Sequence, residues 1–215
     1  MNPLPAPPPP PLLAAPGAGL PKAELAAARL LFTWHRWVTS RSRAAAQITA
    51  ERAALRALIG SLPPPACARR VLIPRLRGLE DSSRYWSVFM AVDHLRIVNA
   101  SIAVVIPLLS EGRTPPRTAS TASIKPSPAA DAGAIPAFVE SCDSIARAVA
   151  AVPDLRTAAR YAHPWFGPLD AAGWHAMAGF HMELHRRQVE SILAHLTQEQ
   201  AAAGGQRPLP SGPAA

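Results

Sequence analysis

Two histidines stand four positions apart in the segment AGFHMELHRRQ, Ala178 to Gln188, and a third, His94, stands in the run AVDHLRIVN. Residues four apart on an α-helix project from adjacent turns of one face, offset by about 40° around the axis and roughly 6 Å along it. His181 and His185 can therefore offer two imidazoles to one metal ion. The HxxxH spacing also occurs on solvated faces, so register decides between the two readings. His181 and His185 fall in line with Trp174, Met177, Ala178 and Ile192, while Glu183, Arg186, Arg187 and Glu190 fall on the other side. His94 lies on a second apolar stripe, between Met90 and Val98. Burying imidazoles without partners is costly. Three of them brought together from two helices predict a site in which neutral ring nitrogens coordinate a divalent transition metal: zinc, nickel or iron.

Carboxylates are out of register with this site, since Asp93 is about 100° around the helix from His94 and Glu183 about 200° from His181. A three-histidine set leaves coordination positions for water or substrate, as catalytic sites do, and the ion could acidify a bound water or thiol or polarise a carbonyl. Gln188, one turn beyond His185, and His163, in the loop HPWFG before the last helix, are candidates for supporting a ligand or touching a substrate. No side chain is placed well enough to name as a general base. His35, His175 and His195 read as structural, and so do the two cysteines, Cys67 beside a proline cluster and Cys142 on an apolar stripe.

Four helical segments must position these groups. The first runs from Lys22 to about Ile59, with Leu31, Trp34, Val38, Ala45, Ile48, Leu55 and Ile59 at helical spacing, and SLPPPA ends it. The second starts at the capping candidates Asp81, Ser82 and Ser83 and carries Trp86, Met90, His94, Ile97, Ser101, Val105 and Leu108 to about Leu109. On that count all three histidines sit near the middle of their helices. The third opens with Pro136 in its first turn, presents Phe138, Cys142, Ile145 and Val149, and closes before Pro153. The fourth starts at Asp170, flanked by Leu169 and Trp174, and runs to about Thr197. Four helices and no convincing strand predict an all-α four-helix bundle over residues 21–199. Residues 1–20, rich in Pro and Ala, are expected to be a disordered lead, 111–135 a flexible linker too polar and proline-rich to pack, and 200–215 a disordered tail.

The chain has 215 residues, 49% of them hydrophobic, enough for one core. The most apolar stretch, RIVNASIAVVIPLL, is interrupted by Asn99, Ser101 and Pro107, so no membrane partner is expected. No signal-peptide core survives the N-terminal prolines, and a cytoplasmic location is the expectation. The net charge of +8 comes from 20 Arg and 2 Lys spread along the chain without interleaved aromatics, which argues against nucleic acid.

The segments EDSSRYWSVFMAVDHLRIVN and HPWFGPLDAAGWHAMAGFHMELHRRQ resemble the second-helix histidine segment and the last loop and helix of the DinB/YfiT-like superfamily of metalloenzymes, over about residues 22–199. The resemblance implies a four-helix bundle in up-down-down-up order, with a long crossover between the second and third helices. It also places the family's metal triad on His94, His181 and His185. Relatives with thiol-dependent transferase activity suggest a small-molecule substrate and a low-molecular-weight thiol, with a metal-dependent hydrolase as the other enzymatic reading. A homodimer is compatible with it. The reading of a different kind is a bundle without turnover, whose metal is structural or which binds a small ligand or partner.

Overall fold

In the computed structural model, which describes residues 11–205, the bundle helices are α2 (Arg41–Gly60), α4 (Val88–Ser110), α5 (Ala134–Ala150) and α6 (Ala171–Gly205). Their directions follow from side-chain contacts. Gln47 meets Glu183 and Glu51 meets Arg186, so α2 and α6 run the same way. Gln188 reaches Ser83 ahead of α4, while Val98, Ile102 and Val105 share a cavity with Trp174 and Met177, so α4 opposes α6. Arg52 pairs with Asp143 and Arg41 caps the carbonyls of Val149 and Val152, so α5 opposes α2. The order is up-down-down-up, as expected. Residues 111–133 must therefore travel back along the bundle between the parallel α4 and α5.

The central helix is α4, where Val88, Ala91, Val92, Leu95, Ile102 and Ile106 are fully buried. By length and composition α4 could cross a membrane, but two thirds of its most apolar window is buried inside the bundle. It is a core helix enclosed by its neighbours. Ser101, expected on its inner stripe, is exposed.

Several expectations are corrected. The first predicted helix is two, α1 (Lys22–Val38) and α2, because Thr39 is extended and the Ser40 hydroxyl accepts the Arg43 amide to start a new helix. The stripe on its first half also points outward: Phe32 is buried while Leu31 and Trp34 are exposed. The second predicted helix begins at Val88, capped by Ser87 through the Met90 amide, whereas Asp81–Ser83 forms a separate 3-10 turn. A short helix α3 (Pro64–Ala68) and two small antiparallel ribbons appear: β1 (Val71–Leu72) with β2 (Tyr85–Trp86), and β3 (Tyr161–His163) with β4 (Gly167–Leu169). In the second ribbon Gly167 takes φ +71°, the left-handed conformation that closes the turn. A further correction concerns the linker, which packs.

Glu80 is the reason. Its buried carboxylate accepts hydrogen bonds from the amides of Gly17 and Gly19, the hydroxyls of Ser82 and Thr121, and the Lys125 ammonium. Residues 11–20 of the expected lead are thereby drawn onto the bundle, with Leu20 buried, while residues 1–10 lie outside the described residues. At the other end α6 continues past Thr197 to Gly205, and the rest of the expected tail, 206–215, lies outside the described residues. Asp170 starts α6 as expected, accepting the Gly173 amide at 2.8 Å and pairing with Arg36 of α1 at 2.9 Å.

Candidate metal centre

Because Ser87 caps α4, His94 falls in its second turn, roughly 9 Å from the helix start rather than at its middle. His181 and His185 come from adjacent turns of α6 and face it. The Nε2 atoms of His94 and His185 lie 3.2 and 3.1 Å from Nε2 of His181, and the three candidate ligand atoms all lie within 4.8 Å of one another. His94 and His185 are buried and His181 is partly so.

Two of the three tautomers are set by neighbours. The Nδ1–H of His94 donates to the Ile124 carbonyl at 2.7 Å, an acceptor only, which leaves a lone pair on Nε2. The Gln188 amide donates its Nε2–H to the Ser83 carbonyl at 2.7 Å, so its Oε1 turns toward His185 and accepts from Nδ1–H at 2.6 Å. His185 Nε2 is therefore also unprotonated. A single proton on His181 Nε2 can satisfy one of these two lone pairs, whereas a cation between the rings satisfies all three nitrogens. His181 Nδ1 is buried without a hydrogen-bond partner. The donor set thus fits a divalent transition ion, and soft or carboxylate ligands are absent from it.

Burial holds all three imidazoles neutral. Desolvation, opposed by the hydrogen bond to Ile124 and reinforced by the Lys125 charge, lowers His94 to about 4. Desolvation first, and the neighbouring imidazoles second, put His181 and His185 well below the usual histidine range. Neutral imidazole is the form that coordinates metal. Trp86 packs against His94 at 5.2 Å and stacks on His185 at 6.0 Å between ring centroids. Lys125 lies over the outer part of this wall, 5.5 Å from the Trp86 ring, and is bound by Glu80, Ser82 and Ser83. Among the described residues no carboxylate reaches the rings: Asp93 accepts from Arg96 and the Ser127 amide, and Glu183 from Arg187 and Gln47.

A cavity of about 560 Å³ is lined by Val98, Ile102, Ile124, His163, Trp174 and Met177 among others. None of the three histidines lines it, but Val98 is one turn from His94, Met177 is one turn from His181, and Ile124, whose carbonyl binds His94, is in its wall, so the cavity approaches the triad. The Nδ1 of His163 accepts the backbone amides of Trp165 and Phe166 at 3.1 and 3.4 Å, which leaves Nε2 as an N–H donor. Burial lowers its pKa to about 4, so the ring is neutral and the donor permanent near neutral pH. His163 is also close enough to His181 to weigh against a charge on that ring.

Of the residues singled out from sequence, His94, His181, His185 and Gln188 come together and His163 lies at the adjoining cavity. His35, His175 and His195 do not join them; His35 lies against Phe32 and Phe180, and His195 bonds the Ser191 carbonyl within its own helix. Cys67 and Cys142 are buried, and desolvation raises both thiols, Cys142 to about 11. Sequence reasoning missed the Ile124 and Ser83 carbonyls, because a backbone acceptor leaves no signature in residue type, and it missed the Glu80–Lys125 pair, whose members are 45 positions apart.

A four-helix bundle that gathers three histidines from two antiparallel helices defines the class of this protein, a helical bundle with a metal-competent three-imidazole centre. The DinB superfamily model matches residues 47–189, more than half of the chain, and the chain belongs to the DinB superfamily. The match covers all three histidines and Gln188 and leaves α1 outside. The crystal structure of TT2238, a four-helix bundle protein, is similar at a TM-score of 0.49 and 22% identity, over 75% of this chain and 99% of that one. No curated protein matches the chain.

Proposed function

We propose that this chain is a divalent-metal-dependent enzyme in which His94, His181 and His185 hold the ion through Nε2 and the adjoining cavity receives a small, largely apolar substrate. Group transfer involving a low-molecular-weight thiol is the reaction favoured, with metal-dependent hydrolysis as the other enzymatic reading. The observation that carries the proposal is the convergence of three neutral imidazoles, two with their protons committed to Ile124 and Gln188, beside a cavity of ligand size. A bound divalent ion supplies Lewis acidity there, with coordination positions left for a water or a thiol.

The chain's own residues do the rest. Gln188 and the Ile124 carbonyl keep two rings in their ligating tautomers, and Trp86 keeps water from the far side of the triad. His163 presents a neutral N–H to the cavity, suited to holding a substrate oxygen as negative charge grows on it. Both cysteines are buried, and their raised pKa values keep them as thiols, so a reacting thiol has to come from solution.

The test is elemental analysis of tag-free protein, beside His94→Ala, His181→Ala and His185→Ala. About one ion per chain in the parent and loss in each variant is the expected result; metal content unchanged in all three would end the proposal. His181→Ala also separates enzyme from structural metal. Loss of turnover of an activated aromatic halide with small thiols, at an unchanged melting temperature, fits the enzyme, and a collapse of melting temperature fits a structural ion.

A further inference from the structure

Helix α1 wears its apolar side outward. Leu30, Leu31, Trp34 and Trp37 are 74%, 64%, 60% and 78% exposed, and Val38 is exposed behind them. With the alanines one and two turns earlier they form a stripe along the whole helix, and they are five of the eight large hydrophobic residues exposed among the described ones. The helix is nonetheless fixed to the bundle. Phe32, on the opposite face, is buried and stacks on Phe166 at 4.3 Å and meets Phe180 at 5.4 Å, and Arg36 is bound to Asp170. The stripe is therefore presented by a rigid body, with the indoles of Trp34 and Trp37 5.4 Å apart.

Charge says what covers it. Lys22 and Arg29 stand seven residues apart along one edge of the stripe, Arg29 also donating to the Trp165 carbonyl, and Arg43 follows just past its end; Arg36 is paired with Asp170 and Arg41 is held by the carbonyls of Val149, Val152 and Pro153, so neither adds to this margin. The one acidic residue of α1, Glu24, is taken up by Arg75 and the Gly78 amide. The surface is thus apolar with a cationic margin. A second copy is a poor occupant on two counts. Two indoles and three aliphatic side chains offer roughly 500–600 Å², short of the about 800 Å² that each partner gives to a standard stable interface. In a symmetric antiparallel pair the twofold axis keeps each edge on its own side, so the cationic margin would face itself. Trp and Leu on one face with Lys and Arg beside them suit the plane of a lipid headgroup region, where indoles sit at the boundary and cations meet phosphate.

We propose that α1 is an interfacial anchor that lays Leu30, Leu31, Trp34 and Trp37 into the surface of a bilayer containing anionic phospholipid. The sequence expectation of no membrane partner rested on the absence of a spanning segment, and a helix lying in the surface needs one apolar face only.

The test is flotation of the full chain with vesicles of phosphatidylglycerol and phosphatidylcholine, beside vesicles of phosphatidylcholine alone, with Trp emission recorded. Binding to the anionic vesicles, a blue shift, and weakening in about 1 M salt, where screening acts within about 3 Å, are expected. The double variant Trp34→Ser, Trp37→Ser should keep its melting temperature, since both side chains are exposed, and lose at least tenfold in vesicle affinity. No flotation with anionic vesicles would overturn the proposal, as would equal flotation of the double variant. A dimer that the double variant dissolves, with no vesicle binding by the parent, would instead make a second copy the occupant and equally overturn it.

Discussion

At the residue scale the candidate centre depends on groups that would not touch a bound ion. Gln188 is fully buried and its amide spans His185 and the Ser83 carbonyl. Gln188→Leu removes the acceptor that holds the His185 proton on Nδ1, and metal affinity should fall by about 10- to 100-fold in a chelator competition titration; an unchanged affinity would show that ring packing alone orients His185. His163→Phe keeps the ring stacked on Phe166 but removes both the N–H donor and the Nδ1 acceptor of the Trp165 and Phe166 amides; with the melting temperature checked for the lost turn contacts, metal content should stay at the parent value while thiol-transfer turnover falls by about tenfold or more, measured as kcat at saturating thiol. The meeting of the three histidines was legible in the sequence because helical register puts them on apolar stripes, where leucine would otherwise be expected. Their supports were less legible. Gln188 shares the register of His185, but Ile124 contributes a carbonyl from the crossover, and nothing about an isoleucine marks its backbone as an acceptor.

At the scale of elements, caps decide where the helices begin and so where the histidines sit. Asp170 both caps α6 and binds Arg36, and its side chain is nearly buried. Asp170→Ala should cost about 2 kcal/mol of stability in urea titration, from the lost cap and the stranded guanidinium; Asp170→Asn should recover the cap share. This start was readable, since one acidic residue stands between two apolar partners. The start of α4 was not. Asp81, Ser82, Ser83 and Ser87 are all competent caps, and the choice of Ser87 follows from contacts elsewhere: Ser83 gives its carbonyl to Gln188, and Ser82 and Ser83 give their hydroxyls to Lys125. The break at Thr39–Ser40 was hidden in the same way, because apolar spacing continues through it while the buried face does not.

For the whole molecule, the crossover and the N-terminal approach are tied to the bundle through Glu80. Burial alone would raise its carboxyl, but hydrogen bonds from Lys125, Ser82 and the Gly19 amide outweigh this and lower its pKa. Glu80→Ala should destabilise the fold by about 3 kcal/mol, since it leaves the Lys125 ammonium without its carboxylate, read from the midpoint of urea unfolding. Composition concealed this tie, as serine, proline and threonine over 111–133 signal a linker whether or not it packs. Acid should also loosen the molecule. His175 is buried on α6 away from the triad, and desolvation, then the charge of Arg41, lowers it to about 4. Between its unfolded pKa of about 6.5 and that folded value the unfolded chain binds the extra proton, so stability should fall as pH drops from about 6.5 toward 4, by up to about 3 kcal/mol from this group. His175→Asn should flatten that part of the stability–pH curve, measured by urea titration at several pH values.

All of this turns on three imidazoles sharing one ion, and X-ray absorption at the edge of the bound metal reads that shell directly. The account predicts three imidazole nitrogens at about 2.0–2.2 Å with the multiple scattering of histidine rings, falling to two in His94→Ala if that variant retains metal. A shell with sulfur in it, or with fewer than three imidazoles in the parent protein, would contradict it.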